Sequence, residues 1–155
     1  MNSPEIDQPA PNFNLPATGQ QIISLEGLAG QHVVLFFYPR DATPGCTTES
    51  QNFRDSISDF SKASAVVLGI SQDSIESHEK FKAKQAMPFE LLSDEDGEVC
   101  KAYDVIKLKK MYGKESLGIE RSTFLIDASG ILRKSWLKVK VPGHVDEVLS
   151  AVQSL

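Results

Sequence analysis

The chain has 155 residues, 41% hydrophobic and 24% charged, the size and balance of one globular domain that buries most of its apolar surface. Its net charge of −5 speaks against nucleic acid or an anionic membrane as a partner, since both call for an excess of Lys and Arg. The N-terminus lacks a basic n-region with an apolar core, and no stretch approaches the ~18 apolar residues of a spanning helix, so the cytosol is the expected compartment.

Residues 4 to 20 carry Pro4, Pro9, Pro11, Pro16 and Gly19, the composition of an extended arm and turn that wraps the domain before a short strand at Ile22 to Leu25. His32 to Tyr38 is a continuous apolar run, expected to form a central strand covered on both faces. From Thr47 to about Lys62, Phe53, Ile57 and Phe60 recur at helical spacing. Cys46 lies seven residues before Phe53 on the same stripe and should point into the body of the protein. Ala65 to Ile70 reads as a second buried strand. Asp73-x-x-Glu76 is a helix start leading through about Lys84, and Ser93-x-x-Asp96 opens a short helix over Glu98 to Tyr103.

The lysines at 107, 109, 110 and 114, around Met111-Tyr112, read as a solvated loop or, alternatively, a docking surface for an acidic reductant. Thr123 to Ile126 and Ile131 to Val139 flank Asp127-Ala128-Ser129-Gly130, a hairpin signal, and Val145, Val148, Leu149 and Val152 form one face of a last helix. Alternating βα units closed by a hairpin and a helix give a single α/β domain over residues 1–155, a central mixed sheet flanked by helices.

Cys46 carries the chemistry. It closes the segment Phe37-Tyr38-Pro39-Arg40-Asp41-Ala42-Thr43-Pro44-Gly45-Cys46, at the junction of the apolar strand and the amphipathic helix. A helix start offers unpaired N–H groups and the positive end of the helix dipole, both of which favour the thiolate, the nucleophilic form of cysteine. The chain has only one other cysteine, Cys100, and no Cys-x-x-Cys, so dithiol exchange within one motif is excluded. His32, His78 and His144 show no metal-ligand spacing and no link to Cys46 as a base. They read as structural or surface residues, with no metal or organic cofactor expected.

The spacing Pro39-x-x-x-Thr43-x-x-Cys46, in its strand-loop-helix setting, resembles the segment around the peroxidatic cysteine of peroxiredoxins. Ser71-x-Asp73, Ser77-His78-x-Lys80-Phe81, Leu91-Leu92-Ser93-Asp94, Arg121-Ser122-Thr123-Phe124-Leu125-Ile126-Asp127 and Val141-Pro142-Gly143-His144 extend the likeness. Together they resemble the bacterioferritin comigratory protein, or peroxiredoxin Q, subgroup over nearly the whole chain. The resemblance implies a thioredoxin-like fold with an N-terminal extension, a monomer, and a thiol-dependent peroxidase acting on hydrogen peroxide or organic hydroperoxides.

It also implies roles: Cys46 as nucleophile, Thr43 offering its hydroxyl, Pro39 shielding the thiolate, and Arg121 stabilising the thiolate and the departing oxygen. Glu49 and Arg54 are expected to support the site from outside the catalytic set. Many subgroup members carry a resolving cysteine five positions after the peroxidatic one, where this chain has Gln51. Two routes back to the thiol then stand: attack on the Cys46 sulfenic acid by thioredoxin, glutaredoxin or a small thiol, or resolution by Cys100, which needs the two Cα atoms within about 7 Å. A peroxide sensor or redox relay using the same cysteine is the rival reading.

Overall fold

The computed structural model describes residues 3–155. A seven-stranded sheet is built from β1 (Asn14–Ala17), β2 (Gln21–Ser24), β3 (His32–Phe37), β4 (Ala65–Ser71), β5 (Glu90–Ser93), β8 (Ser122–Ile126) and β9 (Leu132–Trp136), in the order β2-β1-β5-β4-β3-β8-β9. Strands β3, β4 and β5 run parallel and the outer pairings are antiparallel, so the sheet is mixed, as expected. The helices are α1 (Pro44–Asp55), α2 (Ile57–Lys62), α3 (Ile75–Gln85), α4 (Glu98–Ala102) and α5 (His144–Gln153).

Alternation along β3 divides the interior into two cores. Val34, Phe36 and Tyr38 face Phe53 of α1, Phe60 of α2, Phe81 of α3 and Val148 of α5. Val33, Leu35 and Phe37 face Cys100 of α4, Phe13 of the arm and Tyr103. Phe36 is fully buried and stacks on Phe53 with centroids 4.6 Å apart, and each such side chain contributes roughly 1.5–3 kcal/mol by leaving water. Gly69 makes this packing possible. A Cβ there would stand 2.8 Å from Leu91 and 2.9 Å from Phe36.

The arm does wrap the sheet. Asp7 N–H donates to the Leu132 carbonyl at 2.7 Å and Ala10 N–H to Gly130 at 3.0 Å, both beside β9, and the chain then crosses to add β1 against β5 near the other edge. The single helix expected from Thr47 to Lys62 is two helices, interrupted at Ser56, whose N–H folds back onto the Phe53 carbonyl. Both helix starts expected from the sequence, at Asp73 and at Ser93, are displaced. Ser74 caps α3 by accepting from Ser77 N–H, and α4 starts after Gly97, with the Asp94 carboxylate taking the N–H groups of Val99 and Cys100.

The lysine-rich segment is not a loop. It forms a hairpin of β6 (Ile106–Met111) and β7 (Lys114–Ile119), closed by Tyr112 and Gly113, both at positive φ as a two-residue type I′ turn requires. Lys107 and Lys110 are tied to Asp104 and Glu115.

Candidate active site

The register of the sheet assembles the site. Strand β3 pairs antiparallel with β8 so that Phe37 stands opposite Ser122. Arg121, one residue before β8, therefore arrives where β3 gives way to the loop leading to α1. Its Nη2 donates to Cys46 Sγ at 3.3 Å, and its Nη1 donates to Glu49 Oε1 at 2.7 Å. Cys46 is 1% exposed and packs in the same core as Phe53, as the helical stripe implied.

Thr43 is the N-cap of α1 and Pro44 its first residue, a position where the missing proline N–H costs nothing. The first backbone bond at this end of the helix runs from Thr47 N–H to the Thr43 carbonyl at 2.9 Å, leaving the Gly45 and Cys46 N–H groups ahead of it. Thr43 does not cap them with its side chain. Its Oγ1 donates to the Arg40 carbonyl at 2.8 Å. The hydroxyl expected as a donor has thus committed its hydrogen to the backbone and presents lone pairs, so it suits an acceptor for a substrate O–H. Pro39 is half-buried on the same loop. Gly45 is where a side chain would collide: a Cβ there would lie 3.0 Å from Arg121 Nη2.

Electrostatics bind these groups into a unit. Burial works against the Arg121 charge, but Glu49 and Cys46 outweigh it and the guanidinium is held above its ordinary range. Burial pushes Glu49 up to about 7, with Arg121 opposing the rise, and its second oxygen, Oε2, is buried without a hydrogen-bond partner. Sequence reasoning left Glu49 outside the catalytic set. The signal available was its place one helical turn after Cys46. His144, hydrogen-bonded to Thr123 Oγ1 at 2.7 Å, is lowered to about 4 by burial and by Arg121, so it is neutral near pH 7.

Gln51, at the position of the missing resolving cysteine, and Arg54, expected to support the site, make their side-chain hydrogen bonds away from Arg121 and Cys46. Gln51 donates to Gln85 Oε1 at 2.8 Å and Arg54 to the Gln85 carbonyl at 2.9 Å, tying α1 to the end of α3. Cys100 belongs to the other core, across the sheet from Cys46, and burial together with Asp94 raises its thiol far above the ordinary range. The apolar cleft bounded by Ala10, Leu25, Leu28, Val33 and Gly130 is at the opposite end of β3 from Cys46 and takes no part in the site. Among the described residues no helix is long and apolar enough to cross a membrane.

A mixed sheet with a thiol in the first turn of the helix that follows one of its inner strands is the thioredoxin-like arrangement. The chain belongs to the AhpC/TSA family, whose model matches residues 6–135, and within it to the Bcp, or peroxiredoxin Q, peroxiredoxins. It is 52% identical to the putative peroxiredoxin Bcp of Coxiella burnetii over 94% of this chain and 96% of that protein. The peroxiredoxin Bcp of Bacillus subtilis is 50% identical, over 97% of this chain and 96% of its own. Among solved structures, the bacterioferritin comigratory protein of Xanthomonas campestris superposes with a TM-score of 0.88 at 48% identity, covering 92% of this chain and 90% of that one. Its trapped intermediate and ligand complexes concern alkyl peroxide reduction.

Proposed function

We propose that the chain is a thiol peroxidase that reduces hydrogen peroxide and organic hydroperoxides at Cys46 and is returned to the thiol by an external reductant. The observation that carries the reading is the 3.3 Å contact between Arg121 Nη2 and Cys46 Sγ at a helix start whose first N–H groups are free. The thiolate attacks one peroxide oxygen, an S–O bond forms as the O–O bond breaks, and the departing oxygen leaves as an alkoxide or hydroxide that takes a proton to become an alcohol or water. Cys46 becomes a sulfenic acid.

Each neighbour has work in that step. Arg121 and the Gly45 and Cys46 N–H groups meet the negative charge as it moves from sulfur to the departing oxygen, which is where fixed donors contribute most to rate. Thr43 Oγ1, its own hydrogen held by Arg40, accepts the peroxide O–H and sets the line of attack. Pro39 and Pro44 keep the loop in one conformation and limit water at the sulfur.

Recycling falls to thioredoxin, glutaredoxin or a small thiol. The reductant attacks the sulfenic sulfur and releases water, and a second thiol frees Cys46 from the mixed disulfide. The position of Cys100 in the opposite core supports this one-cysteine route. Since Cys46, Glu49 and Arg121 all come from one chain, the reading needs no second subunit and takes the protein as a monomer, working in the cytosol where thiol reductants are kept reduced. A coupled assay with several reductants tests it. Wild type and Cys100→Ser should turn over while Cys46→Ser does not, and stoichiometric oxidation without turnover would favour the sensor instead.

A further inference from the structure

The loop that carries Thr43 and leads to Cys46 is fastened at a residue outside the site described above. Asp41, 8% exposed, lies two residues before Thr43. Its Oδ1 accepts from Tyr38 Oη at 2.6 Å, and its Oδ2 meets Ser77 Oγ at 2.8 Å and His78 Nδ1 at 2.7 Å. Its backbone N–H donates to Asp73 Oδ2 at 2.8 Å, and Asp73 is itself held by Ser71 Oγ and by Ser93 Oγ on its carbonyl. The far side of the His78 ring, Nε2, lies 2.9 Å from the Leu92 carbonyl. A carbonyl only accepts, so Nε2 carries a hydrogen, and the contact between Nδ1 and Oδ2 then requires a proton between them. The bond is buried, and a polar network whose members are all paired away from water holds one arrangement.

The next residue shows what the fastening does. Ala42 has φ 63, a left-handed conformation that costs a residue with a Cβ about 1–2 kcal/mol. It lies between the anchored Asp41 and the N-cap Thr43 and turns the chain so that Thr43 Oγ1 reaches the Arg40 carbonyl and α1 begins. Left unanchored, that dihedral would relax, and the Thr43 hydroxyl and the first turn of α1 would move with it. Asp41, Asp73 and His78 offer ligand atoms within 4.8 Å of one another, but the hydrogen bonds above already join Asp41 to both of the others.

We propose that Asp41, held by His78, Ser77 and Tyr38, is a positioning residue for peroxide reduction: it fixes the left-handed turn at Ala42 and so aims Thr43 and the start of α1 at the substrate. The proposal rests on Cys46 being the peroxide-reactive thiol. It differs from a merely stabilising polar cluster in what it predicts for chemistry in the folded state.

The test compares two reactions of Cys46, with hydrogen peroxide and with iodoacetamide, in wild type, Asp41→Ala and Asp41→Asn, at a temperature where circular dichroism shows each to be folded. Iodoacetamide needs the thiol but not the aimed loop. Asp41→Ala should lower the peroxide rate constant by about 10²-fold, the cost of a displacement of about 1 Å at a reacting centre, and leave the iodoacetamide rate unchanged or higher. Asp41→Asn, which can donate to a neutral His78 and still accept from Tyr38, should recover the peroxide rate to within about tenfold of wild type. If Asp41→Ala does not fold, Tyr38→Phe removes one bond to the same carboxylate and should lower the peroxide rate alone, by about threefold to tenfold. Equal peroxide rates in wild type and the folded variant, or peroxide and iodoacetamide rates falling by the same factor, would overturn the proposal. A wild type inert to peroxide would instead overturn the peroxidase reading.

Discussion

Glu49 makes folding stability depend on pH in a direction unusual for a carboxylate. Its ordinary value of 4.5 applies in the unfolded chain, and burial raises it to about 7 in the folded one. Between those values the folded state binds more protons than the unfolded state, so stability falls as pH rises. Its contribution is fully present below about 4.5 and lost above about 7. At roughly 1.4 kcal/mol per tenfold change in proton affinity, the span is ~3 kcal/mol, and because Glu49 is fully buried, solvent does little to reduce it.

Glu49→Gln keeps the shape, still accepts from Arg121, and has no proton to lose. His144 works in the opposite sense, adding stability that is present above its ordinary 6.5 and lost as pH falls toward about 4. The informative quantity is therefore the difference between variant and wild type, in which His144 cancels. Urea unfolding at a series of pH values should show Glu49→Gln gaining on wild type by ~3 kcal/mol between about pH 4.5 and about pH 8. A difference constant with pH would refute the reasoning.

Other perturbations separate the parts of the site. Gly45→Ala puts a methyl 3.0 Å from an arginine already held by both Cys46 and Glu49, so stopped-flow oxidation of Cys46 should slow by about tenfold or more with the fold intact. Arg121→Lys keeps a charge but cannot span Sγ and Glu49 together, and the same measurement should show a loss of about 10²-fold or more. Gly69→Ala drives a methyl into Phe36 and Leu91 and should cost about 1–3 kcal/mol in urea unfolding, as overpacked cores do.

The central strand and the cysteine at the helix start were legible in local patterns, an apolar run and a helical stripe, whereas Arg121, 75 positions from Cys46, was reached only through the family resemblance. What escaped depends on tertiary partners. Ser74 rather than Asp73 caps α3 because the Asp73 carboxylate is taken up by its neighbour Ser71 and by the backbone N–H of Asp41, a partner 32 positions away. The hairpin over 106–119 is lysine-rich and largely solvated, so neither strand carries the buried alternation that marks a strand, and the clue was the Tyr112-Gly113 turn. The separation of Cys100 from Cys46 follows from the sheet standing between the two cores, a three-dimensional fact with no signature in spacing.

The central claim is that Cys46 alone performs the oxidation and that rescue comes from outside the chain. Intact mass of the protein after one equivalent of hydrogen peroxide, with no reductant present, tests it most directly. The account predicts that wild type and Cys100→Ser each gain one oxygen and that Cys46→Ser gains none. Loss of two hydrogens from wild type, with peptide mapping showing a bond between Cys46 and Cys100, would contradict it.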